Sequence, residues 1–347
     1  MRELTVGAGY ARGLMELAVA KGACRRALAE RSGIDPEDLQ DQDGRIPFEN
    51  YVALMRAGKA LSGCSALGLH YGEQVDIGQV SIVGLIGQTS ETMAEALVQL
   101  NRYVPLIVET EHPAAGERFQ VTWDRQGLWM MDARRNADAF PELTESAFAQ
   151  LVCGPRRMGA PPFLKAVHVT HAEPPHRPEY ERIFQVPIVF GSDRNALQID
   201  GVAMASQPLA PRLPRYVFGV LSEHAEAMLK NLESSKSARG RVETLLMPIL
   251  HTGEASMDVI ATKMGLSRQT LFRKLRAEGV TFAGVLDELR HRLAVDYLRG
   301  AKVSVNETAY LVGFSDPAPF SRAFKRWTGS SPRDLRAALQ AGHANAA

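Results

Sequence analysis

Residues 11–100 carry a helical pattern of apolar positions. Ala11 to Ala20 reads as a first helix, followed by Gly22, and Arg25 to Arg31 as a second, with a break at Ile34-Asp35-Pro36. Pro47 opens a helix running to Leu61. Thr89-Ser90-Glu91-Thr92-Met93, with Thr89 or Ser90 as the cap, starts one that ends near Tyr103. Then the period shortens. Leu106–Glu109, Arg118–Trp123 and Gly127–Asp132 read as strands, with Gly116 and Gly127 in turns. Phe140 to Leu151 returns to helix, and Ala166–Thr170 and Pro187–Phe190 are short strands. The pattern predicts an α+β domain over residues 1–210 in which helices lead.

Gln207-Pro208-Leu209-Ala210-Pro211-Arg212-Leu213-Pro214 closes that domain. Tyr216 to Leu232 follows as an amphipathic helix through Val217, Val220, Leu221, His224 and Met228, packed on its own domain or forming a dimer seam. Glu233 to Gly240 reads as a polar linker, so that residues 211–240 join the domains. Residues 241–336 then form an all-α domain, and 337–347 a disordered tail. Val242–Thr252 is its first helix. Thr281 to Arg299 is a long one, with Phe282, Val285, Leu286, Leu289, Leu293 and Tyr297 along one stripe.

A repeat organises this second domain. Ala261-Thr262-Lys263-Met264-Gly265-Leu266-Ser267 matches Ala309-Tyr310-Leu311-Val312-Gly313-Phe314-Ser315 at Ala, Gly, a large apolar residue and Ser. Two helices meeting steeply through a short turn need a small residue where their backbones approach, Ala261 or Ala309. The turn needs a residue that tolerates positive φ, Gly265 or Gly313, and an apolar anchor, Leu266 or Phe314. Ser256 or Met257 starts the first copy, Ser267 caps its second helix, and Asp316 caps the corresponding helix with Pro317 at its first position. The spacing predicts helix-turn-helix motifs over 256–277 and 304–327, in which Leu271 and Leu275 correspond to Phe320 and Phe324. Arg273 and Arg322 then take equivalent places on the outer face.

Charge sharpens this picture. The chain of 347 residues carries a net charge of only +1, but residues 256–336 hold fourteen Lys and Arg against eight Asp and Glu, a net +6, which leaves −5 elsewhere. Such an asymmetry points to a nucleic-acid-binding end. The three cysteines, Cys24, Cys64 and Cys153, are widely spaced and read as reduced thiols. Without a basic region preceding a long apolar stretch, or an apolar run of spanning length, we expect a cytoplasmic protein, neither exported nor inserted into a membrane.

Three features imitate chemistry. Gly7-Ala8-Gly9-Tyr10-Ala11-Arg12-Gly13 is rich in glycine but lacks the strand and spacing of a phosphate loop, and reads as a flexible N-terminus. His168, His171 and His176 have no acidic or Cys partner at ligand spacing, and alternate strand faces separate the first two. Cys153-Gly154-Pro155-Arg156 reads as an inert buried thiol. No nucleophile constellation is visible, so we expect no enzyme, no metal and no cofactor.

Residues 256–336 resemble the DNA-binding domain of AraC/XylS-type transcription regulators. The resemblance rests on Gly313-Phe314-Ser315-Asp316-Pro317, on Phe320-Ser321-Arg322-Ala323-Phe324-Lys325-Arg326-Trp327-Thr328-Gly329, and on Ser331-Pro332 and Arg336. Pro319 departs from it, standing where other members present a polar base-reading side chain. Residues 15–205 are similar to the arabinose-binding-type N-terminal domain of ornithine-utilisation and VirS-like regulators, through Asp43-Gly44-Arg45-Ile46-Pro47, Leu67-Gly68-Leu69-His70-Tyr71-Gly72 and Pro187-Ile188-Val189-Phe190. The resemblance implies an activator that binds double-stranded DNA, works with RNA polymerase, pairs as a homodimer and answers to a small-molecule effector. Two alternatives stand beside it. One is a regulator whose first domain makes protein contacts only; the other is an enzyme, such as a repair alkyltransferase, fused to a DNA-binding domain.

Side-chain chemistry then assigns roles. Arg bonds guanine in bidentate fashion and Gln does the same with adenine, so Arg268, Gln269 and Arg273, with Thr270, are the expected base readers of the first copy. Ser321 and Arg322 are those of the second. Lys274, Arg276, Lys325 and Arg326 are expected at phosphates, where they position without reading sequence. Ala261, Gly265, Ala309, Gly313, Phe314, Phe320, Phe324 and Trp327 build the motifs.

Overall fold

A computed structural model describes residues 4–111, 117–201, 214–300 and 303–336, and the chain divides into two units between Leu229 and Lys230. Gly116, the expected domain close from Gln207 to Leu213, and the tail 337–347 lie outside the described residues.

The first unit opens with β1 (Thr5–Gly7), antiparallel to β2 (Arg45–Pro47), and α1 (Ala8–Ala20) starts directly after it. The glycine-rich start is therefore ordered. Ala8, Tyr10 and Ala11 are buried, and the amides of Ala8 and Gly9 donate to the carbonyls of Gly44 and Gln42 at 2.8 and 3.1 Å. Six further helices follow: α2 (Arg25–Ser32), α3 (Phe48–Ser62), α4 (Leu67–Gln74), α5 (Ile77–Val80), α6 (Ile82–Thr89) and α7 (Met93–Ile107).

Thr92 caps α7, its side chain accepting from the Glu95 amide at 3.1 Å. The hydroxyls of Thr89 and Ser90, expected to cap, instead donate to the Ile86 carbonyl and finish α6. The strand expected at Leu106–Glu109 does not form. α7 continues through Pro105 to Ile107, leaving Val108 as an isolated bridge to Val6. The end of the helix is secured from outside, because the Arg45 guanidinium donates to the carbonyls of Pro105, at 2.9 Å, and Leu106.

Five strands make the main sheet, β3 (Phe119–Asp124), β4 (Gly127–Asp132), β5 (Leu164–His168), β6 (Ile188–Val189) and β7 (Ala196–Ile199), in the order β3-β4-β7-β5-β6. Only β5 and β6 run parallel. β7 holds the centre, yet four residues are too few to show an alternating pattern against their surroundings. With α8 (Glu142–Arg157) and α9 (Arg177–Phe184), the strands enclose one core that includes Leu128, Phe148, Val167, Tyr180 and Leu197.

α10 (Arg215–Lys236) crosses the division between the units. It continues past the expected end at Leu232, so the polar stretch read as a linker is largely helical. Ser234 and Ser235 satisfy their hydroxyls on the carbonyls of Asn231 and Leu232, both at 2.9 Å, and need no water-exposed coil. Ser237 alone separates α10 from α11 (Ala238–Leu246), which it caps by accepting from the Gly240 amide at 2.8 Å. Pro248, which brings no amide donor, turns the end of the expected Val242–Thr252 helix into a 3-10 segment, Met247–Thr252.

Beyond it lie α12 (Met257–Lys263), α13 (Arg268–Ala277), α14 (Phe282–Gly300), α15 (Val305–Leu311) and α16 (Pro317–Thr328). Val242, Leu246, Leu271, Leu289, Ala309 and Phe324 share the core of this all-α unit. Among the described residues no helix is long and apolar enough to cross a membrane.

Candidate nucleic-acid interface

The repeat becomes two helix-turn-helix copies, α12–α13 and α15–α16, joined by α14. Local chemistry starts each helix. Ser256 accepts from the Val259 amide at 3.3 Å and Ser267 from the Thr270 amide at 3.2 Å. Ser304 and Glu307 form a reciprocal capping box at α15. Asp316 accepts from the Ala318 amide at 2.6 Å, with Pro317 in the first turn of α16. Gly265 and Gly313 take φ of 65° and 82°, the left-handed conformation the turn needs. Ala261 and Ala309 are buried at the helix approach.

In the first copy Leu271 and Leu275 face the core, while Arg268, Gln269, Arg273, Lys274 and Arg276 are exposed. Gln269, Arg273, Lys274 and Arg276 make no side-chain hydrogen bond or ion pair among the described residues. Arg268 donates to Asp258 at 2.6 Å across an exposed pair. A contact of this kind is worth about 0.2–1 kcal/mol and competes weakly with a phosphate or a base. Thr270 is half-buried, its hydroxyl 2.9 Å from that of Ser267.

The second copy spends more of its polar groups on itself. The Ser321 hydroxyl donates to the Pro317 carbonyl at 2.9 Å, and Arg326 donates to Asp287 at 2.7 Å. Arg322 and Lys325 are exposed on the outer face, and Lys325 helps Ser331 to hold the Asp334 carboxyl below its usual range, the Ser331 hydrogen bond being the larger cause. Phe320 and Phe324 are fully buried. Phe314 and Trp327 are half-buried and stand 6.2 Å apart, centre to centre, with His291 5.6 Å from Trp327.

Sequence reading missed two residues of this surface. Arg290 donates to the carbonyls of Val312 and Gly313, both at 3.1 Å, and lies 4.7 Å over the Phe314 ring. Burial holds its guanidinium below its ordinary pKa, against the opposing pull of Asp287. The available signal was a charge between Leu286 and Leu293, on the apolar stripe of α14. Phe272 is 50% exposed on α13 between Leu271 and Arg273, a place where a core residue is not needed.

The histidines of the first unit hold structure together. His168 bonds Ser192 at 2.9 Å, His171 bonds Tyr180 at 2.9 Å, and His176 meets the buried Glu145 at 2.9 Å. Among the described residues no group of three or more His, Cys, Asp or Glu could hold a metal ion. Cys153 is buried, and burial raises its thiol pKa. One alignment was invisible in the sequence: Cys64 Sγ lies 3.3 Å from His70 Nδ1, and His70 Nε2 lies 2.8 Å from Glu179. Arg182 extends it, bonding both Glu179 and Glu73, so the network ties α9 to α4. The separation of 109 residues between His70 and Glu179 hid it from any spacing rule.

Comparison with known proteins agrees with this geometry. Residues 22–208 match the family model described as the arabinose-binding domain of AraC transcription regulator, N-terminal, and residues 260–338 match a helix-turn-helix domain. The chain is similar to the ornithine utilization regulator of Pseudomonas aeruginosa, 28% identical over 96% of each chain. It is also similar to the transcriptional regulator VirS of Mycobacterium tuberculosis, 23% identical over 94% of each. Among solved structures, the transcriptional regulator CdpR from Pseudomonas aeruginosa is 22% identical with a TM-score of 0.39, covering 90% of this chain and 96% of that one. With an arabinose-binding-type domain over more than half its length and a helix-turn-helix domain after it, the chain belongs to the AraC family of DNA-binding transcription regulators.

Proposed function

We propose that the chain is a sequence-specific activator that reads two adjacent major grooves of double-stranded DNA and works with RNA polymerase. Its first unit binds a small-molecule effector and pairs two copies of the chain. On this reading it is no enzyme, and Cys64, His70 and Glu179 act as a strut between α4 and α9.

The observation that carries the reading is the pair of helix-turn-helix copies at the two ends of one helix, each with exposed basic side chains. α14 has nineteen residues. At 1.5 Å each it is about 28 Å long, close to the spacing of about 34 Å between major-groove faces one turn apart. Gln269 and Arg273 are the principal base readers, supported by Arg268, Thr270 and Arg322. Lys274, Arg276, Lys325 and Arg326 meet phosphates. Ser321, whose hydroxyl is already engaged, contributes least.

Hydroxyl-radical footprinting of the full chain on a selected high-affinity duplex tests the two-groove claim. The expected result is two protected patches on one face of the DNA, one helical turn apart, per copy of the chain. A single patch would overturn it. Sedimentation of the same protein, free and on DNA with two elements, tests the pairing; a monomer in both conditions would overturn that part.

A further inference from the structure

The effector cavity offers an inference that rests on the sensor reading above and narrows its ligand. In the first unit a half-enclosed cavity of about 370 Å³ lies among α5, α6, α7, α8 and the sheet. That is the small end of the range of about 300–1,000 Å³ usual for ligand sites. Its wall is predominantly aliphatic and aromatic, with Leu97, Leu100, Val104, Met130, Met158 and Phe163 prominent. Methionine is flexible and fills irregular gaps, which suits a wall that adapts to an apolar guest.

Most polar groups of the lining are already engaged, and Gln74, exposed at the edge, makes no side-chain hydrogen bond among the described residues. Arg118 makes two hydrogen bonds of 3.2 Å to Asp132, a carboxylate that Arg134 also approaches at 4.0 Å. Gln88 donates to Asp76 at 3.2 Å, and Asp76 also caps α5. Arg157 donates to the carbonyls of Glu73 and, at 2.8 Å, Val75. Gln150, with its amide turned so that nitrogen meets oxygen, reaches the carbonyls of Gly72 and Val75 at 3.0 Å. A sugar or an amino acid entering here would surrender its water and find few free partners. The engaged groups also cluster. Gln88, Gln150 and Arg157 all bond to the stretch from Gly72 to Asp76, which leaves Arg118 and Tyr10 as the polar side chains of an otherwise apolar wall. Arg157 and Asp76 give that edge both signs of charge.

We propose that this cavity binds an amphipathic molecule, an aliphatic chain of medium length with one polar end turned to the Gly72–Asp76 edge, and rejects pentoses and free amino acids. Its affinity comes from burying the chain, and the polar edge sets which way the molecule enters.

Displacement of N-phenyl-1-naphthylamine from the full-length protein tests this. Decanoate and 1-decanol should displace the dye, and L-arabinose and L-lysine should not at a thousandfold excess. Two variants locate the site. At Gly87, in α6 and on the cavity wall, an added Cβ would meet nothing within 4 Å. Gly87→Leu should therefore fold and fill the space, weakening decanoate by about tenfold. Leu100→Ala enlarges the same wall and should shift preference toward longer chains. If calorimetry shows arabinose or lysine binding while the chains do not, the apolar class is overturned and the sensor reading stands. If none of the four binds, both fall. Chain binding that is equal in the wild type and both variants would place it elsewhere and overturn the assignment to this cavity.

Discussion

The two helix-turn-helix copies share a plan and differ in how it is held. In the first, the turn is open: a Cβ built on Gly265 would meet nothing within 4 Å. Its second helix begins Arg268-Gln269-Thr270 and keeps its outer polar groups free or loosely paired. In the second, the turn is packed on three sides. A Cβ on Gly313 would lie 2.2 Å from the Leu250 carbonyl oxygen, Arg290 grips the carbonyls of the two peptides that meet at Gly313, and Phe314 lies beneath that guanidinium. Its helix begins Pro317-Ala318-Pro319 and returns the Ser321 hydroxyl to the Pro317 carbonyl, while Arg326 meets Asp287 in an exposed pair like that of Arg268 and Asp258. The two copies thus share a backbone plan but differ in how firmly the turn is packed and in how many side-chain donors open the second helix.

The sharpest test of that contrast is the pair of turn glycines. Gly313→Ala meets both a disfavoured φ and a backbone oxygen, and should cost about 3 kcal/mol or more in denaturant unfolding followed at Trp327. Gly265→Ala meets only the φ penalty, about 1–2 kcal/mol. Equal costs would mean that the two turns are held alike.

Recognition gives the next largest effect. Arg273→Ala should lose about 1–3 kcal/mol on the preferred sequence and relax base preference at one half of the site, read by competition with single-base variants. Arg322→Ala should lose less discrimination, because its neighbours Pro317, Ala318 and Pro319 offer few donors. Matching losses of specificity would erase the distinction.

The smallest effect belongs to Lys325. Lys325→Ala should weaken every sequence alike and lower the slope of log affinity against log salt by about one. A change confined to one sequence would make Lys325 a reader and give the second copy a larger share of recognition.

The caps, turns and core of this unit were legible because each rests on local rules. Ser267, Asp316, Gly265 and Gly313 do in the structure what their residue types require. The Arg290 clamp was not, because it joins residues 22 and 23 positions apart through side chain and backbone. In the first unit the leading helices and the strand Gly127–Asp132 followed from pattern. The end of α7 did not. Leu106 and Ile107 look like the start of a strand, and only the distant Arg45 shows why the helix persists there. Glu233 to Gly240 misled for the opposite reason: polar composition suggested coil, while the serines satisfied themselves on helical carbonyls. The site roles themselves could be listed from residue type, but which groups stay available could not, since that depends on Asp258, Asp287 and the Pro317 carbonyl.

The opening of α16 has a consequence for the promoters this chain would govern. Pro317, Ala318 and Pro319 bring no side-chain donors to that helix's first turn. Base pairs opposite it would be under weak selection, while those opposite Gln269 and Arg273 would be held. Target promoters would then accumulate substitutions unevenly, one half of each element drifting while the other stays recognisable. New genes could join the regulon by acquiring little more than the conserved half.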